Sequence, residues 1–226
     1  MAFNELAILR WVHIVCMVYW LGGEWGIFNL STNIVNRKLS MDERRRHMET
    51  AYRIDILARS GIILLLPLGL HMGNIWGTQP LGGAWLGLMW LLGLAWLGLC
   101  LTAFVHRETD LGIRLTMLDE KVRFVLIPVL AVCAISSLLG HGPFAAALGQ
   151  MWYSAKILLF SGALCIGLYL RFVMRDWTMM FRELAKGPNP VVEATLERSL
   201  RRARYTAYGY WALILTVAFL GAVKPF

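Results

Sequence analysis

Apolar residues run along this chain in six long, nearly uninterrupted stretches, roughly Leu6–Leu30, Ile56–Trp76, Leu81–Val105, Val122–Gly140, Ala145–Phe172 and Thr206–Val223. Each is close to the span of about 20 residues that carries an α-helix across a bilayer. The runs are continuous rather than alternating, which excludes the period-two pattern of a transmembrane β-barrel. The expected fold class is all-α, a polytopic membrane bundle of about six transmembrane helices forming a single domain over 1–226.

The polar intervals set the expected orientation. Segment 31–59 holds seven Lys/Arg, segment 106–123 four and segment 171–205 eight, together 19 of the 22 basic residues. The connections near 77–83 and 141–144 hold no charged residue. The positive-inside rule makes the loops 31–55, 106–121 and 173–205 cytoplasmic and puts both termini on the outer, periplasmic side. Gly187-Pro188-Asn189-Pro190 reads as a turn between two amphipathic stretches at the cytoplasmic surface. Tryptophans 11, 76, 85 and 152 near the outer boundary, and 25, 177 and 211 near the inner one, read as aromatic belts. The first residues, Met-Ala-Phe-Asn-Glu, carry an acid where a signal peptide has a base, so the first apolar run is expected to be a retained helix.

Composition agrees with that picture. Hydrophobic residues make up 58% and charged residues 16%, against about 45–50% and 25% in soluble domains. The net charge of +8 does not point to nucleic acid, because the basic residues lie between apolar runs and not on one folded polar face. The four cysteines, Cys16, Cys100, Cys133 and Cys165, sit far apart inside apolar segments. With no CxxC or CxxCH, neither a zinc ribbon nor a covalently attached heme is expected. The lipid bilayer is the first expected partner, and the inner membrane of a bacterium the expected location.

Candidate chemistry comes from the polar groups inside the spans. Each costs about 2.5–3.5 kcal/mol at a helix centre and so marks function by default. They are His13, Glu24, His71, His106, His141 and Lys156, with His106 alone at the inner edge and with Arg10, Lys156 and Lys224 as the outer-side exceptions to the charge rule. At about 1.5 Å per residue, His13 lies roughly 10 Å below the outer end of its helix, His71 roughly 7 Å and Lys156 roughly 10–15 Å. His141 caps the fourth helix at the same side. Imidazoles from facing helices, with cations near a membrane surface for the propionates, suit one b-type heme held without a covalent motif. His13 and His71 are the expected axial ligands, with His141 as the replacement for either, and Arg10 and Lys156 the expected propionate partners. Pro67, four residues before His71, frees the Ile63 carbonyl and is expected to bend the second helix. His13, Met17, Trp20 and Glu24 fall at i, i+4, i+7 and i+11. This is one helical stripe suited to protons or a quinone head group, or simply to packing. Met17, Met72 and Met151 beside these groups make copper the rival chemistry, although the 11 methionines are scattered and no Met-x-x-Met occurs.

Three stretches carry a family resemblance. Leu9-Arg-Trp-Val-His13-Ile-Val-Cys-Met-Val-Tyr-Trp20-Leu-Gly22-Gly23 resembles the first helix of the HemJ/CopD-like membrane proteins. Trp152-Tyr-Ser-Ala-Lys156 resembles the Trp-x-x-x-Lys helix of the HemJ branch, and Val223-Lys224-Pro225-Phe226 is similar to the end of many of its chains. The resemblance implies a multi-helix protein that binds heme b, with His13 and Lys156 at functional positions. It also implies oxidation of protoporphyrinogen IX to protoporphyrin IX, whereas the CopD branch implies copper. The third and fourth helices have no counterpart in the pattern, and Tyr208-Gly-Tyr-Trp211 stands where that family has Asn-Glu. The extra histidines favour a cytochrome-b-like carrier between an outer-side redox partner and quinone or another carrier. Protoporphyrinogen oxidation, with Lys156 and Glu24 as catalytic groups, is the alternative. Copper handling, a structural anchor and a homo-oligomeric assembly remain open at this point.

Overall fold

A computed structural model of the protein describes residues 4–107, 109–144 and 149–226. Among these residues the chain folds as α1 (Glu5–Ile34), α2 (Met41–Ile75), α3 (Ala84–Val105), α4 (Asp110–Leu138), α5 (Met151–Leu184) and α6 (Pro190–Val223). All six are long and apolar enough to cross a membrane. Successive helices pack side by side, and α6 returns to touch α1. The connections 76–83 and 139–150 contain no Asp, Glu, Lys or Arg, and they define an uncharged end. The opposite, charged end carries the basic segments.

Those basic segments are mostly helix rather than loop. The expected loops 31–55, 106–121 and 173–205 shrink to connections of a few residues, because local signals start helices inside them. Ser40 and Glu43 form a reciprocal capping box that starts α2 fifteen residues before the expected Ile56. Asn189 accepts from the Val191 and Val192 N–H groups, with Pro190 at the first helical position, and starts α6 sixteen residues before Thr206. Thr109 caps α4 by accepting from the Gly112 N–H. The extensions do not lie flat as separate surface stretches. They enclose a core of their own, with Ile34, Ala51, Trp177, Phe181, Leu184 and Leu196 buried together. Arg44, 2% exposed, fixes this layer with a two-pronged ion pair to Glu193 at 2.7 and 3.0 Å and a bond from its Nε to the Ile34 carbonyl at 2.8 Å.

Two other expectations shift. The fifth helix begins at Met151, and residues 145–148, expected to open it, lie outside the described residues. α2 runs unbroken through Pro67, whose ring packs against Gly93 of α3. The aromatic-belt reading holds for Trp11, Trp25 and Trp85, which are exposed, but Trp152 and Trp177 are buried in the packed interior.

The closest helix pair is α1 with α2, and small residues make it so. A Cβ on Gly61 would stand 2.6 Å from the Cys16 carbonyl oxygen. That contact holds the Cys16–Trp20 turn of α1 against α2. Trp20 is 1% exposed and packs edge-on against Phe160 of α5 and Tyr210 of α6.

Candidate functional site

A chamber of about 580 Å³ opens among α1, α2, α5 and α6 on the uncharged-end side of Trp20. That volume falls within the range of about 300–1,000 Å³ typical of small-molecule and cofactor sites. Trp20, Trp76, Trp152, Tyr153 and Phe160 give it aromatic walls, and Leu65, Gly69 and Met72 form its α2 side. Tyr153 is fixed by donating to the Gly69 carbonyl at 3.1 Å.

The polar lining of this chamber is unusual in sign. Arg10, Lys156 and Lys224 line it, and none of its lining residues is acidic. None of these three cations makes an ion pair to a carboxylate among the described residues. Lys156 reaches across to α6, where a Cβ at Gly221 would force its flexible ammonium end to shift. Lys224 Nζ sits 3.9 Å above the Trp76 ring centre and 5.2 Å from that of Trp152. Burial first, and the nearby Arg10 charge second, hold the Lys224 ammonium below the usual lysine range.

His13 supplies the one imidazole in the lining. Its Nδ1 is buried and has no hydrogen-bond partner among the described residues. A buried orphan nitrogen costs about 1–3 kcal/mol of lost hydration unless something satisfies it. Met17 and Met72 bring thioethers to the same chamber.

The other expected ligands are elsewhere. His71 faces α3, where Trp90 Nε1–H donates to its Nδ1 at 3.2 Å. With Nδ1 accepting, the ring proton resides on Nε2, which lies 3.2 Å from Glu5 Oε1. Both nitrogens of His71 are therefore engaged outside the chamber, and it does not oppose His13. His141 follows Gly140, whose φ is +84°, in the turn that ends α4, and it is exposed. The expected three-histidine convergence is not formed. His71 and His141 differ from His13 in the direction they face, and only His13 turns to the chamber. Glu24 also lies outside this chamber, on the other side of Trp20. Among the described residues no three His, Cys, Asp or Glu side chains gather as a metal-ligand group.

Comparison with protein-family models, with curated proteins and with solved structures finds no match for this chain. The chemistry of the site has to be argued from its own residues.

The residues present fit a tetrapyrrole. One unpartnered imidazole is available for an iron, aromatic and aliphatic walls suit the macrocycle, and three cations suit its carboxylates. They fit a bare copper ion less well, since three positive charges with no opposing acid repel a cation. Sequence reasoning passed over Lys224 as a ligand-binding group. Its signal was its standing among the few basic residues outside the basic segments.

Proposed function

We propose that this chain is an integral membrane redox protein that binds heme b in the chamber between α1, α2, α5 and α6. It would pass electrons between a partner at the uncharged end and quinone or another membrane carrier. The observation that carries the reading is the set of three cations without an ion pair among the described residues, around an imidazole whose Nδ1 has no partner among them, in an aromatic-walled chamber. His13 would ligate the iron, and Arg10, Lys156 and Lys224 would hold the propionates. When bound, the heme supplies a one-electron iron couple. The aromatic walls would keep water from it, and the cations would hold its carboxylates. By the positive-inside rule the charged end faces the cytoplasm and the chamber faces the periplasm, in a bacterial inner membrane. The motif order resembling the HemJ/CopD-like proteins supports the same reading.

A second reading is favoured by one observation. Only one imidazole lines the chamber, whereas a bis-histidine carrier needs two. In that reading the cations hold the carboxylates of a porphyrinogen, and its oxidation delivers electrons to a membrane acceptor. Complementation of a strain lacking protoporphyrinogen oxidase separates the two readings.

The test of heme binding is a reduced-minus-oxidised spectrum of detergent-purified protein with a pyridine hemochrome assay. A b-type hemochrome is expected, and it should persist in His71→Ala, whose ring is engaged outside the chamber. A featureless spectrum after heme-supplemented growth overturns the proposal. The Lys224 charge sets a pH dependence. As pH rises through the lowered range of this lysine, one of the three cations is lost. Retention of an anionic porphyrin, read by fluorescence quenching, is expected to weaken over that range in wild-type protein and to weaken less in Lys224→Arg, in which Lys156 remains as a second lysine of the chamber.

A further inference from the structure

On the charged-end side of Trp20 lies a second, separate chamber of about 80 Å³. Its size decides what it can hold. A cavity of about 150 Å³ is needed to take up benzene, whereas about 10–15 Å³ suffices for a water molecule. The chamber is too small for a quinone ring and large enough for several waters.

Its lining is mostly apolar but holds Glu24, Asp55, Arg59, Arg123, Arg171 and Arg204, and these charges are incompletely paired among the described residues. Arg59 is bound to Asp55 on α2, and Arg171 of α5 to Asp119 of α4. Arg123 of α4 also reaches Asp119 through its Nε, at 3.3 Å. Three groups lack a full set of polar partners among the described residues: Arg123, Glu24 and Arg204, whose guanidinium stands 4.6 Å over the Phe28 ring. Arg123 is 4% exposed, yet its second terminal nitrogen, Nη2, is buried with no partner. Glu24 of α1 lines the same chamber and makes no hydrogen bond or ion pair among the described residues. A buried donor and a carboxyl that face one chamber without touching are satisfied by bridging water. The groups that face Glu24 are Asp55 and Arg59 on α2, Arg123 on α4, Arg171 on α5, and Arg204 and Tyr210 on α6. Tyr210 accepts a bond from Trp20 Nε1 at 3.1 Å, and Trp20 lines both chambers.

We propose that this small chamber is a hydrated proton-exchange site in which Glu24 reversibly takes a proton from water entering at the charged end. The step balances as carboxylate plus hydronium giving carboxylic acid plus water. Asp55 and Asp119 are ion-paired with arginines, whereas Glu24 has no such partner among the described residues. The site rests on the preceding section only for its use: beneath a redox centre, a proton gained at Glu24 offsets charge that arrives across Trp20.

Infrared difference spectroscopy of the purified full chain tests the site with or without heme, so its outcome is independent of the hemochrome assay. A protonated-carboxyl band is expected to grow as pH falls and to shift in deuterium oxide. It should disappear in Glu24→Gln and move in Glu24→Asp. In wild-type protein, carboxyl-isotope-labelled glutamate must move the band and labelled aspartate must not, which keeps the test valid should a variant fail to fold. Absence of the band, a band insensitive to deuterium oxide, or one that follows aspartate labelling overturns the proposal.

Discussion

His13→Ala is expected to abolish the heme spectrum of the purified protein, with heme occupancy falling at least tenfold at unchanged protein yield. His13 is the one imidazole in the larger chamber, and its Nδ1 has no other partner to lose. Removing the ring takes away the iron ligand and leaves the cations and aromatic walls in place. Porphyrin without iron should therefore still bind His13→Ala, held by Arg10, Lys156 and Lys224. Replacing all three cations by glutamine should weaken metal-free porphyrin while leaving the imidazole available. Full heme occupancy in His13→Ala, read by hemochrome per protein, would show that the iron is held elsewhere.

Asp119→Ala is expected to be the most destabilising single substitution in the bundle. Asp119 is 0% exposed and joins three helices. Its Oδ1 accepts from Trp96 Nε1 of α3 at 2.6 Å, and its Oδ2 receives Arg123 of α4 and Arg171 of α5. Removing the carboxylate leaves the buried Arg123 guanidinium without its counter-charge and Arg171 with only its longer pair to Glu120 at 3.7 Å, a loss of about 3–5 kcal/mol. Arg175→Ala provides the contrast. Its side chain is 55% exposed in its pair with Glu120, and such a pair contributes about 0–1 kcal/mol. Reversible unfolding in mixed detergent micelles measures both. Equal losses for the two variants would mean that the Asp119 cluster is solvated and does not tie the bundle together.

The sequence reading was most secure where a one-dimensional signal has a one-dimensional cause. Bilayer thickness and the cost of burying charge write six apolar runs and their basic flanks directly into the order of residues. Depth along a helix follows from residue count, which is why Arg10, His13 and Lys156 were expected together and do line one chamber. The helical extensions were legible too, had Ser40-x-x-Glu43 and Asn189-Pro190 been weighed as helix starts and not as parts of polar loops.

What the order of residues left open was rotation about the helix axis. The 60–75 part of α2 is packed among neighbours and apolar on nearly every side, so its periodicity does not mark which face meets the chamber. Only packing against α1 through Gly61, and against α3 through Pro67 and Gly93, turns Gly69 and Met72 toward His13 and His71 toward Trp90. The same holds for the charges at the other end. Asp119 and Arg123 are one helical turn apart in sequence, but the approach of α5 adds Arg171 and that of α3 adds Trp96. The sequence by itself determined six helices long and apolar enough to cross a membrane and where along each helix its polar groups stand. The tertiary structure decided which of those groups face one another, because facing depends on the azimuth that helix–helix packing imposes.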